Sequence, residues 1–230
     1  MKTIDSNRRL YPCLLDYDYL ILKSLRNSIQ KHAVFIEGDL IDYGCGTMPY
    51  RPLFINATKY TGADVVQAVS ENYIMINGDK LPVPDETVNG VVSFQVLEHI
   101  PSPSSYLQEC YRILKPDGQI LITTHGNWPY HPGVNNNDYW RWTLEGLKLL
   151  LEEQGFHVIA LEPVCDGWPS LLQQILVMHD ESRYQRNYFS SLLFRSFSLL
   201  VNVTGALVQR FGIKCDMLPV CCLVRAYKKG

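Results

Sequence analysis

The stretch LIDYGCG, residues 40–46, decides the fold of this 230-residue chain. It begins as a short apolar run, which is typical of a buried strand, and it ends in a turn that contains Gly44 and Gly46. Glycine allows the backbone to approach a ligand closely, and the helix that follows such a turn offers free N–H groups. We therefore predict the first strand and the ligand-binding turn of an α/β domain.

An acidic residue follows this turn at an informative distance. Asp64 lies 22 positions after Asp42 and ends a second strand-like run, Tyr60 to Asp64. In nucleotide-binding domains, a carboxylate about 20 residues after the glycine turn binds the ribose hydroxyls. The glycine turn and Asp64 together favour a cofactor that contains a nucleoside. A plain tight turn with a solvated Asp64 is the alternative that these two motifs leave open.

Strands and helices alternate along the rest of the chain. Apolar residues at helical spacing predict helices over 16–31, from Ser104 or Ser105 to a stop at 116–118, and from the capping residue Thr143 to Gly155. Further strands are predicted at 72–76, 88–94, 119–124, 156–161 and 218–227. This alternation predicts an α/β fold with a doubly wound, mostly parallel sheet.

We expect one domain in three parts, because no Gly/Ser-rich linker separates them. Residues 1–37 are an N-terminal helical lead-in. Residues 38–165 are the cofactor-binding core. Residues 166–230 are a C-terminal helical region together with the last strand of the same domain.

Five segments carry a family resemblance. In chain order they are LIDYGCG (40–46), GAD (62–64), GDKLP (78–82), VLEHI (96–100) and Glu109 with YRILKPDG (111–118). Over about residues 40–161 the chain resembles class I S-adenosylmethionine-dependent methyltransferases, and its last two segments resemble their ubiquinone/menaquinone-type small-molecule branch. The resemblance implies a Rossmann-like, seven-stranded sheet with an antiparallel last strand, and methyl transfer from S-adenosylmethionine to a small-molecule acceptor.

The resemblance also implies where S-adenosylmethionine binds. The turn at Gly44 to Gly46 would contact its methionine moiety, Asp64 its ribose hydroxyls and Asp79 its adenine amino group. The complete set of expected cofactor residues is Asp42, Gly44, Cys45, Gly46, Asp64, Val65, Asp79, Lys80, Leu81, Gln95 and Val96.

One departure from the usual turn bears on the alternatives. Met48-Pro49 stands where a dinucleotide-binding turn has its third glycine. An NAD-dependent oxidoreductase is therefore the less favoured interpretation, because that glycine allows the helix to pack closely on the strand beside the pyrophosphate. A non-catalytic protein that keeps the cofactor pocket is the other alternative.

Two histidines are candidates for a general base. Methyl transfer depends mainly on holding donor and acceptor aligned, and a hydroxyl acceptor gains further from a base that takes its proton. His99, just after the fourth strand, and His125, at the end of the fifth, are the expected catalytic residues. A structural role, in which Glu98 and His99 orient the following loop, is the alternative.

The segment after the fifth strand, residues 125–142, combines aromatic side chains with His, Asn, Asp and Arg. A long loop of this kind can stack on a ring and hydrogen-bond its polar groups, which favours an oxygen acceptor on a sugar-like or lipid-linked compound. No metal is expected, since His125, His131 and Asp138 lack a helical or strand spacing. The expected substrate contacts are His131, Asp138, Tyr139, Trp140 and Arg141.

Net charge, cysteine content and the N-terminal residues indicate which partners and which cellular compartment to expect. Lys and Arg number 21 against 23 Asp and Glu, a net charge of −2, so no nucleic-acid partner is expected. The seven cysteines form no CxxC pair, which indicates reduced thiols. The first residues lack the apolar run of a signal peptide. We therefore expect a cytoplasmic protein.

The segment 190–213 is rich in Leu, Val and Phe and contains Arg195 and Arg210. Three roles are open for it: packing within the fold, a homodimer interface, or peripheral contact with a membrane or a lipid-linked substrate. Its uncharged stretch, Ser196 to Gln209, is shorter than the roughly 20 residues that cross a bilayer, so no membrane span is expected.

Overall fold

Seven strands form one sheet in the computed structural model, which describes residues 6–66, 72–76, 80–132, 137–179, 188–211 and 218–230. Across the sheet, the order is β3-β2-β1-β4-β5-β7-β6. In chain order the strands are β1 (Gly38–Tyr43), β2 (Ala57–Asp64), β3 (Tyr73–Met75), β4 (Val88–Phe94), β5 (Leu114–His125), β6 (Phe156–Val164) and β7 (Cys221–Lys228).

Strand direction confirms the predicted fold class. β1 pairs in parallel with β2 and β4, β2 with β3, and β4 with β5. β7 lies between β5 and β6 and runs antiparallel to both. The strand order reverses between β1 and β4, and ligands of open α/β sheets bind at such a switch point, beyond the carboxyl ends of the strands.

Helices cover both faces of the sheet because alternate strand residues point to opposite sides. Ile41 and Ile120 belong to a core cluster on one face, while Leu40 and Leu121 belong to a second cluster on the other. The helices are α1 (Ser6–Leu10), α2 (Tyr19–Ala33), α3 (Pro103–Ile113), α4 (Leu144–Glu153), α5 (Trp168–Met178) and α6 (Tyr188–Arg210). The first cluster packs against α3 and α4, and the second against α2, α5 and α6.

Several boundaries differ from the prediction. Helix α3 ends at Ile113, and Leu114 already pairs with Val88 as the first residue of β5. The apolar spacing assigned Leu114 to the helix because a buried strand residue keeps the same apolar character. β2 begins at Ala57 rather than Tyr60, since Gly38 of β1 pairs with it there. The last strand begins at Cys221 rather than at residue 218.

Helix α6 is longer than the uncharged stretch on which the expectation about membrane spans was based. The uncharged stretch was too narrow a measure, because the helix is 23 residues long and runs through Arg195. By length and composition alone, Phe189–Arg210 could cross a membrane, with a mean hydropathy of 1.5 and 22% of its most apolar window buried in the protein. The contacts of the helix, described below, decide how it is used.

Candidate active site

The glycine turn lies directly after β1, at the carboxyl edge of the sheet. Gly44 has φ +79° and Gly46 has φ +50°, a backbone region that L side chains rarely adopt. A Cβ atom on Gly44 would lie 2.5 Å from Cγ2 of Val96, whereas one on Gly46 would meet no atom within 4 Å. Gly44 is therefore required by close packing, and Gly46 leaves the backbone open to a ligand.

Asp64, at the end of β2, ties this turn to the neighbouring strand. Its Oδ2 accepts a hydrogen bond from the Gly46 N–H at 2.8 Å, and its Oδ1 accepts one from the Val66 N–H at 3.1 Å. Asp64 is therefore not merely solvated, and its contact with ribose hydroxyls stays a prediction. Each carboxylate oxygen can accept more than one hydrogen bond, so the side chain can still receive ribose hydroxyls.

Asp42 lies behind the turn, 2% exposed, and its Oδ2 accepts a hydrogen bond from the Tyr60 hydroxyl at 2.7 Å. Burial raises the pKa of Asp42 to about 7, and the negative charge of Asp64 contributes to the shift. This geometry gives Asp42 a supporting position beneath the turn. A direct contact with the cofactor stays a prediction.

The other expected cofactor residues divide into two groups. Val96 packs on Gly44, and Gln95 has φ +59° and donates from Nε2 to Oγ1 of Thr123 at 3.1 Å, so both lie at the turn's side of the sheet edge. Leu81 points into the core, and its N–H is already donated to Glu109 at 2.7 Å. Cys45 is buried, Val65 and Lys80 are exposed, and Asp79 lies outside the described residues.

Three histidine rings meet beyond the ends of β4 and β5. The ring centre of His131 lies 6.1 Å from that of His99 and 5.7 Å from that of His125. Nδ1 of His99 lies 2.7 Å from the carbonyl oxygen of Asn137, which can only accept, so Nδ1 carries the hydrogen. In the neutral ring, Nε2 of His99 is then the atom that can take a proton.

Glu98 is a residue whose part in the site the sequence analysis understated. Its side chain is fully buried, Oε2 accepts a hydrogen bond from the Thr124 hydroxyl at 2.8 Å, and Oε1 lies 3.4 Å from Nδ1 of His125. Burial raises the pKa of Glu98 and lowers that of His125, where the positive charges of His131 and Arg141 add to the effect. Both shifts oppose the charged forms of the two side chains, so burial weakens the ion pair between them.

The backbone of Glu98 also anchors the loop after β5. Its carbonyl oxygen accepts hydrogen bonds from the N–H groups of Tyr139 at 2.8 Å and Trp140 at 3.2 Å. The indole of Trp140 donates to the carbonyl of Ile100 at 2.8 Å. The structural role considered for Glu98 and His99 is therefore present in the fold, and it leaves Nε2 of His99 available for chemistry.

Arg141 and Asp138 hold the same loop from within. Arg141 donates two hydrogen bonds of 2.6 Å to the Asp138 carboxylate and others to the carbonyls of Trp128 and Pro129. Asp138 in turn accepts the N–H of His131 at 2.6 Å. The polar atoms of both residues are engaged in folding the loop, so their direct contact with an acceptor stays a prediction.

The loop supplies two further observations. Burial lowers the pKa of His131, assisted by the positive charge of His99. Tyr139 is half exposed, and residues 133–136 lie outside the described residues.

In the part of the chain that the structure describes, no three His, Cys, Asp or Glu side chains are grouped as metal ligands would be.

A cavity of about 370 Å³ opens elsewhere, lined by residues of β1, β2 and β3 together with Thr87 and Val88. It lies toward the amino ends of β1 and β4. Ligands of parallel sheets bind at the opposite edge, where the glycine turn and the histidines lie. We therefore assign the site to the carboxyl edge.

Comparison with known proteins defines the family. The model of the methyltransferase domain family matches residues 23–161, more than half of the chain. The chain therefore belongs to this family, and its sheet has the fold of class I S-adenosylmethionine-dependent methyltransferases, as predicted. Membership makes S-adenosylmethionine the cofactor, which confirms that prediction over the nicotinamide alternative.

Two relatives and one solved structure illustrate the likeness. A protein named probable S-adenosylmethionine-dependent methyltransferase from Mycolicibacterium smegmatis is 32% identical over 134 residues, 52% of each chain. A ubiquinone biosynthesis O-methyltransferase from Pseudomonas putida is 28% identical over 113 residues, 43% of this chain and 49% of its own. The chain thus spans about half the length of these curated relatives. An S-adenosylmethionine-dependent methyltransferase from Mesorhizobium loti shares the fold, with a TM-score of 0.57 at 14% identity over 89% of this chain and 97% of that one.

The residues at the sheet edge fit this cofactor. S-adenosylmethionine has no phosphate, so a turn without the third glycine can accommodate it. The space above Gly46 is open, and Asp64 keeps the capacity to accept hydroxyl hydrogens.

Proposed function

We propose that the protein transfers the methyl group of S-adenosylmethionine to a hydroxyl oxygen of a small-molecule acceptor that is sugar-like or lipid-linked. The observation that carries this proposal is the juxtaposition along one sheet edge. The glycine turn follows β1 and Asp64 ends β2, while His99 follows β4 and His125 ends the adjacent strand β5.

On the cofactor side, the chain contributes binding and orientation. When bound, S-adenosylmethionine supplies a methyl group made electrophilic by a sulfonium. The open backbone at Gly46 and the carboxylate of Asp64 would hold it, and Val96 and Gln95 would line its other side. Fixing the two reactants in line is the main source of acceleration in a displacement of this kind.

On the acceptor side, His99 is the proposed general base. Its Nδ1–H is fixed by the Asn137 carbonyl, which directs Nε2 to receive the proton of an attacking hydroxyl. His125 is neutral at physiological pH because of its burial and is the second candidate. The name of the Pseudomonas relative, an O-methyltransferase, supports oxygen as the accepting atom.

The aromatic loop supports a cyclic or carbohydrate-bearing acceptor. Tyr139 offers a half-exposed ring in the loop that also carries His131, and Trp140 stacks with Trp142 at 5.7 Å between ring centres. Aromatic faces of this kind bind sugar rings and other cyclic compounds, and nearby polar groups orient them.

The test combines binding with transfer. We expect calorimetric titration to give micromolar binding of S-adenosylmethionine and S-adenosylhomocysteine and none of NAD. Asp64→Ala removes charge-assisted hydrogen bonds and should weaken binding by about 1.5–3 kcal/mol. Glu152→Ala, which removes an exposed carboxylate of α4, is the matched control and should bind as the wild type does.

Transfer of radiolabelled methyl groups to a panel of free and lipid-linked sugars and phenols then tests the acceptor. Labelling of nitrogen or protein targets alone would refute the oxygen acceptor. Tight cofactor binding with no transfer to any acceptor would favour the non-catalytic alternative. Failure of both S-adenosyl compounds to bind would overturn the proposal as a whole.

A further inference from the structure

Helix α6 is oriented with its polar side toward the protein. Of the α6 residues whose burial the structure describes, the buried ones are Ser198, Val201, Asn202 and Gly205, and three of these four are small or polar. Asn202 donates from Nδ2 to the carbonyls of Leu14 and Asp16, both at 2.8 Å. A Cβ atom on Gly205 would lie 2.6 Å from Cδ1 of Leu20, so the helix approaches α2 closely at this glycine.

The apolar side of α6 faces outward. Phe189, Leu193, Leu200, Val203, Leu207 and Phe211 follow one another at helical spacing, and each has 40% or more of its surface exposed. A surface helix of a water-soluble protein has the reverse arrangement, with its apolar stripe toward the core. Close packing through small and polar residues, with large apolar ones outside, is the arrangement of helices whose surroundings are themselves apolar.

Helix α5 repeats this arrangement in part, since its buried side contains Leu176 and Val177 as well as two polar residues. Ser170 and Gln173 are fully buried, and the Gln173 side chain accepts from the Ile21 N–H at 2.9 Å and donates to the Tyr17 carbonyl at 2.6 Å. Trp168, Leu171, Ile175 and Met178 form the exposed face. Because α5 and α6 contact each other, their outer faces form one surface, which we call the α5–α6 face.

Charge and shape indicate what covers this face. Neither helix contains an acidic residue, and their only charged side chains are the exposed Arg195 and Arg210. Helix α6 has 23 residues and is therefore about 34 Å long. Phe189, Phe211 and Trp168 are exposed, and Trp, Phe and Leu form the apolar face of helices that lie in the plane of a membrane interface.

We propose that the α5–α6 face docks onto an anionic lipid membrane, with both helices lying in the plane of the interface. A crossing orientation is excluded by the C-terminal half of α6, where Asn202, Gly205 and Gln209 contact α2 and the segment before it. The apolar side chains enter the boundary between headgroups and acyl chains, while the two arginines pair with anionic headgroups.

The docked face adjoins the acceptor side of the site. Gln174 of α5 donates from Nε2 to the carbonyl of Asn127 at 3.1 Å, in the loop that also carries His131. A lipid-linked acceptor in the membrane would thus reach the histidines without leaving the interface. This assignment of the acceptor class rests on the proposed function, whereas docking itself does not.

Vesicle flotation tests the docking. Wild-type protein should bind vesicles that contain phosphatidylglycerol more strongly than vesicles of phosphatidylcholine alone, and less strongly at high salt. Leu193→Gln with Leu200→Gln should reduce partitioning by about tenfold or more, because two apolar side chains no longer enter the membrane. Leu149→Gln is the matched control: its leucine, on α4 across the sheet, is 58% exposed against 55% for Leu193, and it should bind normally.

Arg195→Gln with Arg210→Gln should weaken binding to the anionic vesicles severalfold and remove most of the salt dependence. Absence of vesicle binding, or binding that survives the double leucine substitution, would overturn the proposal. So would a solution dimer that the double leucine variant dissociates while no vesicles are bound, since the face would then be an interface between two copies. Titration of each variant with S-adenosylhomocysteine separates these failures from a failure of the proposed function.

Discussion

The two halves of the active-site edge are held together in different ways. On the cofactor side, residues 42–66, backbone N–H groups bind carbonyls and one carboxylate, and two glycines provide the conformations that make this possible. On the acceptor side, residues 95–142, side chains of His99, Asp138 and Arg141 bind backbone carbonyls and amides of a long loop. The first half is fixed by backbone geometry and the second by side-chain identity, so substitutions should separate cofactor binding from turnover.

The largest separation is expected from His99→Gln. Loss of a general base should lower kcat/KM by about 10²–10⁴-fold, while S-adenosylhomocysteine affinity stays close to that of the wild type. Unchanged turnover would assign the ring solely to its contact with Asn137.

Gly44→Ala should disrupt the cofactor side instead. The new Cβ would meet Val96 in a backbone conformation that disfavours L residues, at a cost of about 2–5 kcal/mol in the free energy of unfolding. Urea unfolding and calorimetric titration would measure the two effects. Gly46→Ala is the matched control, since it has positive φ but open space, and should cost about 1–2 kcal/mol. Equal losses in the two variants would contradict the packing role of Gly44.

Arg141→Gln should loosen the acceptor loop and leave the glycine turn intact. The guanidinium donates to Asp138 and to the carbonyls of Trp128 and Pro129, and an amide cannot replace all of these bonds. We expect kcat/KM for the acceptor to fall by about tenfold or more with S-adenosylhomocysteine affinity unchanged. A parallel fall in cofactor affinity would show that the two halves are coupled.

The smallest effect concerns the pH dependence of stability. Because burial lowers the pKa of His125 below its usual 6.5, the unfolded state binds the proton more readily. The contribution of this residue is therefore fully present above about pH 6.5 and is lost as the pH falls below it. His125→Gln should flatten the rise in unfolding free energy between pH 5.5 and 7.5, measured by urea denaturation. An equally steep rise in the variant would place the shift on other groups, such as His131.

Sequence alone was sufficient where the determinants are local. The strand that contains Ile41 and the glycine turn after it were predictable because each depends on a few consecutive residues. Asp64 was predictable from its spacing of 22 residues from Asp42. The bond from the Leu81 N–H to Glu109, 28 residues away, was not, so the direction of Leu81 into the core could not be foreseen. Glu98 was understated for the same reason: its partners come from β5 and from the loop after it.

The orientation of α6 shows most clearly what the sequence alone does not predict. Its sequence predicts an apolar helix but not which side is buried. That choice is made by Leu14, Asp16 and Leu20, more than 180 residues earlier, which accept and pack against Asn202 and Gly205. An apolar stripe in a sequence is by default assigned to the core, and here the polar side takes that place.

The position of β7 has a consequence for how the chain folds. β7 lies between β5 and β6 and pairs with both. Until Cys221–Lys228 has been synthesised, β6 therefore has no partner strand and β5 presents an unpaired edge. Pairings that join such distant parts of a chain close slowly. During synthesis the nascent protein therefore passes through a stage with a complete α6 and an open sheet edge. A chain that lacked the last strand would stay in this state, with an aggregation-prone sheet instead of a smaller folded domain.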